Sequence, residues 1–348
     1  MVFGADRECE FLSAPRPSMQ ETFSGQPLAC LEVLGRTMVE RTVQQFFQAD
    51  VEVVTLLAPV ALSHSLPSCR ERNRALKVKL ANDMPLAIGR TLNEYSRNGI
   101  DNCFVVSGNL YAETDLLDFF FFHREAMRPV SRAVDHDGPL DMWVVDTAKA
   151  MRFDGDQFSK DVNSYLIGGY VRRLDHPADL RGLISDALVG RCAMRPSGRE
   201  AKPGIWIDSG AGIDRRARIV SPAYIGRGSR VHEDALITRS SSIERNCRID
   251  CGTVIEDSSI LANTSVGIWL DLRHAIACGD KLFSLAHGVA VEISDPSLLQ
   301  PMANVVHAPA RGNLEVIEIE EENLFPLSTQ EEAPARPKWQ LGANLIQG

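Results

Sequence analysis

The stretch "SPAYIGRGSRVHEDALITRSSSI" (residues 221–243) sets Ile225, Val231, Ile237 and Ile243 six residues apart. A helix returns its apolar face every three or four residues and a strand every two, so a period of six fits neither alone. Followed outward, the phase runs without a gap through Ile207, Ile213, Ile219, Ile225, Val231, Ile237, Ile243, Ile249, Ile255 and Leu261. The residue four places after each is small: Ala211, Ala217, Ala223, Ser229, Ala235, Ser241, Cys247, Thr253, Ser259 and Ser265. Two registers locked together over this length describe a repeat. Each hexad makes one short strand and one corner. The aliphatic side chain turns inward, and the small residue sits where neighbouring coils approach. Three hexads, about 18 residues, close one triangular coil, and stacked coils pair strand to strand in parallel around one core. Gly267 stands in the next aliphatic slot, so the regular pattern ends at Leu261. "VGIWLDLRHAIACGDKLFSLAHGVAVEIS" (266–294) still reads as strand-rich, and "SDPSLLQP" (294–301) as a stop.

The first half alternates strand-like and helix-like segments. "VEVVTLLAP" (51–59) and "NCFVVSGN" (102–109) have the continuous apolar run of buried strands. "TMVERTVQQFFQA" (37–49) and "DLLDFFFFHREA" (115–126) carry helical spacing, and "VNSYLIGGYVRRL" (162–174) reads as a strand and turn. Alternation of this kind predicts a three-layer α/β domain with a mostly parallel sheet. Ligands of such sheets sit beyond the carboxyl ends of the strands, where "SGN" (107–109) falls.

The hexads resemble the left-handed parallel β-helix of hexapeptide-repeat transferases; the handedness comes from that resemblance. Ahead of them, "QPLACLEVLGRTMVERTVQQF" (26–46) is similar to the segment that sugar-1-phosphate nucleotidyltransferases write as K-P-L-x-x-(V/I)-x-G-(K/R)-P-(M/L)-(I/L)-E. "FVVSGNLYAETDLLDFFFFHRE" (104–125) resembles their strand ending in G-D, followed by an acidic helix and H-R. "LIGGYVRRL" (166–174) looks like their later N-A-G-I-Y-V strand. The resemblance covers residues 26–294 and includes the order of the parts. It implies a GT-A-like, Rossmann-like α/β domain over 1–195, a linker over 196–204 and a left-handed β-helix over 205–294. An acidic, mobile tail is expected over 300–348.

That family moves a nucleotidyl group from an NTP to a sugar 1-phosphate and releases pyrophosphate. The reaction needs backbone N–H groups around the triphosphate, basic side chains to neutralise it, and carboxylates to hold Mg²⁺. This chain departs from the family at each part. Upstream of Gln26 there is no Gly-rich run, only Gly4 and Gly25, and Arg7 and Arg16 lie outside the expected context. Gln26 occupies the family's Lys position, and Asn109 its Asp position after Gly108. The base-recognition stretch falls on "MPLAIGRTLNEY" (84–95), where Gly89 and Thr91 are the reminiscent residues. The resemblance therefore implies substrate-binding positions at Gln26, Gly108, Asn109, Gly168 and Gly169, and metal positions at Asn109 and Asp208. No catalytic residue is assigned. Glu113 or Asp115 is the candidate to rescue a metal site. Asp208 also reads as a corner residue of the first hexad. The expected function lies in nucleotide-sugar metabolism, as a regulatory or sensor subunit with a degenerate site. An active nucleotidyltransferase with an altered, Mg²⁺-dependent site is the first alternative. A hexapeptide-repeat acyltransferase using His232, His274 or His287 as base is the second.

Bulk properties narrow the partners. The chain has 348 residues, 44% of them hydrophobic and 24% charged, with a net charge of −9. A surface of that sign repels phosphate backbones, which argues against nucleic acid. "EVIEIEEENLFPLSTQEE" (315–332) holds glutamates and no base, the pattern of a solvated tail. No apolar run approaches the ~20 residues that cross a bilayer, and the opening "MVFGADRECE" lacks the pattern of a leader. The 8 cysteines show no CxxC pair or metal-like spacing, which predicts buried thiols in a reducing cytoplasm. The expected partners are a nucleotide sugar or sugar phosphate and other subunits, as a homo-oligomer or as a hetero-oligomer with an active paralogue. His123 and Arg124 read as a solvated helix end, and Gly168–Gly169 as either a sugar contact or a tight turn.

Overall fold

A computed structural model describes residues 2–3, 30–58, 75–149, 162–302, 316–318 and 341–347. It is a mixed α/β structure with many strands, few helices and several parallel sheets. The described residues fall into two compact units. One takes residues 42–58, 75–149 and 162–171 with the strands Val2–Phe3, Val316–Glu318 and Leu341–Gln347; the other takes residues 30–41 and 172–302. Residues 172–195, read from sequence as the end of the first domain, thus group with the repeats.

The first unit is built on a 9-stranded sheet. Its order is Val162–Leu166, Val130–Asp135, Gly138–Asp146, Asn102–Ser107, then Val2–Phe3 with Leu341–Gln347, then Val53–Ala58, Ala75–Leu80 and Val316–Glu318. Leu341–Gln347 runs parallel to both of its long neighbours, Val53–Ala58 and Asn102–Ser107. Val2–Phe3 continues that slot at Leu57 and Ser107. Residues 341–347 lie in the stretch read from sequence as a tail, and they form the middle of the sheet.

Alternation along Asn102–Ser107 divides two apolar layers, because successive side chains of a strand point to opposite faces. Cys103 and Val105 pack in one cluster with Met84, Ala87, Ile88, Leu92 and Tyr95 of helix Met84–Arg97. Phe104 lies 5.4 Å from Phe46 of helix Met38–Gln48 and 5.9 Å from Phe119 of helix Leu116–Ala126, centroid to centroid. Helices therefore cover both faces, as the α/β alternation predicts. Residues 84–95, where the resemblance put the base-recognition stretch, lie in helix Met84–Arg97. Asp83 caps it through the Leu86 N–H, and Thr91 is buried within it, its hydroxyl donating to the Ala87 carbonyl at 2.8 Å. The signal was present as an Asp-x-Pro start followed by apolar residues at helical spacing.

In the second unit the period of six builds three parallel sheets that the chain visits in turn. Ile225 pairs with Ile243, Val231 with Ile249 and Ile237 with Ile255, each eighteen residues apart. The inward residues form one core cluster and are buried. After Ile255 the offset becomes seventeen: Ile243 pairs with Ile260, Ile249 with Val266 and Ile255 with Leu272. The corner explains the missing residue. Between Ile237 and Ile243 the backbone turns through two left-handed residues, Arg239 (φ 53°) and Ser240 (φ 58°); between Ile255 and Ile260 it turns through one, Asp257 (φ 46°). Ile260 and Val266 thus take the inward positions that the unbroken phase gave to Leu261 and Gly267, and the repeats continue beyond Leu261. Antiparallel strands Lys281–Ser284, Val289–Glu292 and Leu299–Pro301 end them. At the other end Arg199–Lys202, read from sequence as linker, pairs antiparallel with Ile205–Ile207.

Candidate functional site

The strand order reverses in the middle of the first sheet. From Val53–Ala58 the chain moves outward to Ala75–Leu80, then crosses to Asn102–Ser107 on the other side of the central slot. Such a reversal opens a crevice at the carboxyl ends of the strands. Gly108 and Asn109 follow directly on Ser107, and the Asn109 N–H donates to the Ser107 hydroxyl at 3.3 Å. Val162–Leu166 reaches the same sheet edge, being parallel to Val130–Asp135 and so, through two antiparallel pairings, to Asn102–Ser107. Gly168 and Gly169 follow on Leu166. Four of the sequence-predicted positions therefore share one edge.

The two glycines differ. A Cβ on Gly169 would stand 1.9 Å from the Glu113 carbonyl oxygen, so this glycine admits the neighbouring segment of the chain. The Glu113 N–H donates to the Tyr170 carbonyl at 2.8 Å across the same approach. A Cβ on Gly168 would meet nothing within 4 Å. Gly169 is thus the tight approach within the fold, and Gly168 faces open space.

Tyrosines line this edge. The Tyr111 hydroxyl donates to Glu113 Oε1 at 2.8 Å, and the Tyr111 and Tyr170 rings meet edge-on at 6.0 Å. Tyr165 stacks on Phe119 at 4.5 Å and donates its hydroxyl to Asp118 Oδ2 at 2.5 Å. Burial, together with the Asp118 carboxylate, pushes that phenol up to about 12, so it stays a donor at neutral pH. Sequence reasoning missed these tyrosines. Their signal was position alone: each lies within a few residues of a candidate glycine or of Asn109.

The other predicted residues fall elsewhere. Gln26, Arg7 and Arg16 lie outside the described residues. Asp208 belongs to the second unit, is buried at the end of Ile205–Ile207, and accepts the Ser209 N–H at 2.6 Å. Asp115 caps helix Leu116–Ala126 through the Leu117 and Asp118 N–H groups, at 2.9 and 3.1 Å. Among the described residues no group of three or more His, Cys, Asp and Glu side chains is placed to hold a metal ion.

His123 corrects the expectation of a solvated helix end. It is buried, its Nδ1 lies 2.8 Å from the Ser131 hydroxyl, and burial lowers its pKa to about 4. Arg124 is exposed, its guanidinium 5.9 Å from the Phe120 ring centroid. In the second unit His232 lies 3.7 Å from Asp250, His274 2.5 Å from Asp257, and His287 2.9 Å from the Ser284 hydroxyl. Burial raises the thiols of Cys30 and Cys103 to about 12, which keeps them protonated and inert as nucleophiles.

No helix among the described residues is long and apolar enough to cross a membrane. No protein-family model matches the chain, and no curated protein matches it.

Proposed function

We propose that this chain is a nucleotidyltransferase-like protein of nucleotide-sugar metabolism that binds its ligand without turning it over. In this reading a GT-A-like domain precedes a left-handed β-helix. The protein works in the cytoplasm as a sensor or regulatory subunit, in an oligomer of its own copies or with an active paralogue. The supporting observation is the shared edge of Gly108–Asn109 and Gly168–Gly169 at the reversal of strand order.

The donor set there argues for binding over transfer. Mg²⁺ prefers charged, hard oxygens. Asn109 offers a neutral amide, Glu113 accepts from Tyr111, and Asp115 is committed to a helix cap. These residues do not fit a Mg²⁺ centre, and no transfer step is derived through one. The same edge carries the Asn109 amide and the open space at Gly168, chemistry suited to hydroxyl groups of a sugar.

A thermal-shift scan of nucleotide sugars and hexose 1-phosphates tests the reading, since a ligand that binds only the folded state raises the melting temperature by mass action. One ligand should raise it with a concentration dependence that Gly168→Ala weakens. Absence of a shift across the panel would contradict the proposal.

A further inference from the structure

One sheet of the repeats is made of Arg218–Ile219, Leu236–Thr238, Val254–Glu256 and Asp271–Arg273, paired in parallel in that order. Ile219, Ile237, Ile255 and Leu272 pack in or against the core cluster. The positions on either side of each turn outward, because successive side chains of a strand point to opposite faces. They make two columns across the sheet. The first reads Arg218, Leu236, Val254, Asp271, in register throughout. The second reads Val220, Thr238, Glu256, Arg273; Val220 joins it through its N–H, which donates to the Ile237 carbonyl at 2.8 Å. The first column thus carries opposite charges at its ends and two half-buried aliphatic side chains between them. Arg218 is exposed and has no ion-pair partner among the described residues. Asp271 is exposed, with Arg273 Nη2 2.7 Å from its Oδ2.

The corner that precedes each of these strands adds an aromatic group. Its coils stack through the Gly252 N–H, which donates to the Glu233 carbonyl at 3.1 Å, and the Trp269 N–H, which donates to the Cys251 carbonyl at 3.0 Å. A Cβ on Gly252 would stand 2.5 Å from the Trp269 ring, so glycine leaves the indole its place over the corner below. Trp269 is nevertheless 75% exposed and Ile268 60%. At the opposite end of the same corner, Arg215 is exposed and has no ion-pair partner among the described residues.

We propose that this face binds a second copy of the chain, with the two stacks of coils antiparallel about a two-fold axis lying in the interface. Under that operation each column meets its own copy reversed. Arg218 faces Asp271 of the second copy, and Leu236 faces Val254. The Arg215 end of the corner meets the Trp269 end, which sets a guanidinium against an indole. Both ends of the pair are equivalent, so every such contact is made twice. The parallel alternative is poorer: it would set Arg218 against Val220 and Val254 against the Glu256 carboxylate. An aliphatic centre with tryptophan and arginine at its ends also has the composition of a protein interface. The pairing is independent of the ligand proposed above.

Sedimentation equilibrium of the full-length chain across the micromolar range reads the pairing directly. The native chain should dimerise, and added salt should weaken the dimer. Arg218→Asp brings like charges together at both ends of the pair, as does Asp271→Arg, and each variant alone should self-associate about tenfold or more weakly. An equimolar mixture of the two variants sets opposite charges face to face again and should restore the dimer. Arg230→Asp, on the neighbouring sheet, is the control and should leave association unchanged. A native chain that stays monomeric, single variants that associate as tightly as the native chain, or a mixture no tighter than its components would overturn the proposal. Both substituted side chains are exposed, and recovery in the mixture shows that the variants are folded.

Discussion

Ile243 pairs with Ile260, seventeen residues on, although Ile225 pairs with Ile243 eighteen residues on. The corner at Asp257 absorbs the difference, and every later inward position moves with it. Ile260→Ala should cost about 2–5 kcal/mol, the usual range for an aliphatic side chain removed from a packed core. Urea denaturation measures it; a loss below about 1 kcal/mol would mean that Ile260 is not a core residue.

Arg181 on helix Pro177–Leu188 carries the contact to that same corner. Its Nη2 reaches Asp257 Oδ1 at 2.6 Å and the Ser240 carbonyl at 3.0 Å, and its Nε donates to the Asp257 carbonyl at 3.1 Å. Arg181→Met should destabilise by about 1.5–3 kcal/mol, the range for hydrogen bonds to a charged group, since Arg181 is buried but Asp257 is partly exposed and keeps His274. Equilibrium unfolding checks it, and an unchanged midpoint would show that the helix docks by its apolar face alone.

Gly168 and Gly169 should separate cleanly. Gly169→Ala forces a Cβ onto the Glu113 carbonyl, and overpacking of this kind costs about 1–3 kcal/mol. Gly168→Ala enters open space and should leave the melting temperature of the free protein unchanged. Equal effects of the two substitutions would contradict the geometry.

His123 makes stability depend on pH in a definite direction. Its folded value lies near 4 and its ordinary value at 6.5, so between them the unfolded chain binds the extra proton. Stability from this group is complete above about 6.5 and is lost as pH falls toward 4, by at most about 1.4 kcal/mol per pH unit. Replacing His123 by Asn should remove that slope from acid-denaturation curves; an unaltered slope would assign it to other groups.

The repeats were legible because inward positions recur at fixed spacing; the coils after Leu261 were expected as irregular, and a one-residue shift at Asp257 hid their register. Once Ile260 replaces Leu261 in the phase, Val266 and Leu272 follow. The α/β unit was legible in its apolar runs, yet not in its middle. Leu341–Gln347 fills the central slot because of long-range pairing with Val53–Leu56 and Asn102–Ser107, and a short run with Gly342 and Asn344 carries little local strand signal. The candidate edge was legible at Gly108, Asn109 and the glycine pair. The difference between Gly168 and Gly169 was not, since it depends on where Glu113 lies in space.

The most direct test of the central claim is a pyrophosphate-release assay with purified full-length protein, Mg²⁺, ATP, CTP, GTP, UTP and dTTP, each against a panel of hexose 1-phosphates. The account predicts no release above background with any pair, from a preparation that a nucleotide sugar stabilises in the thermal-shift scan. Sustained turnover with any single pair would contradict it, and would mean that Asn109 and its neighbours suffice for transfer.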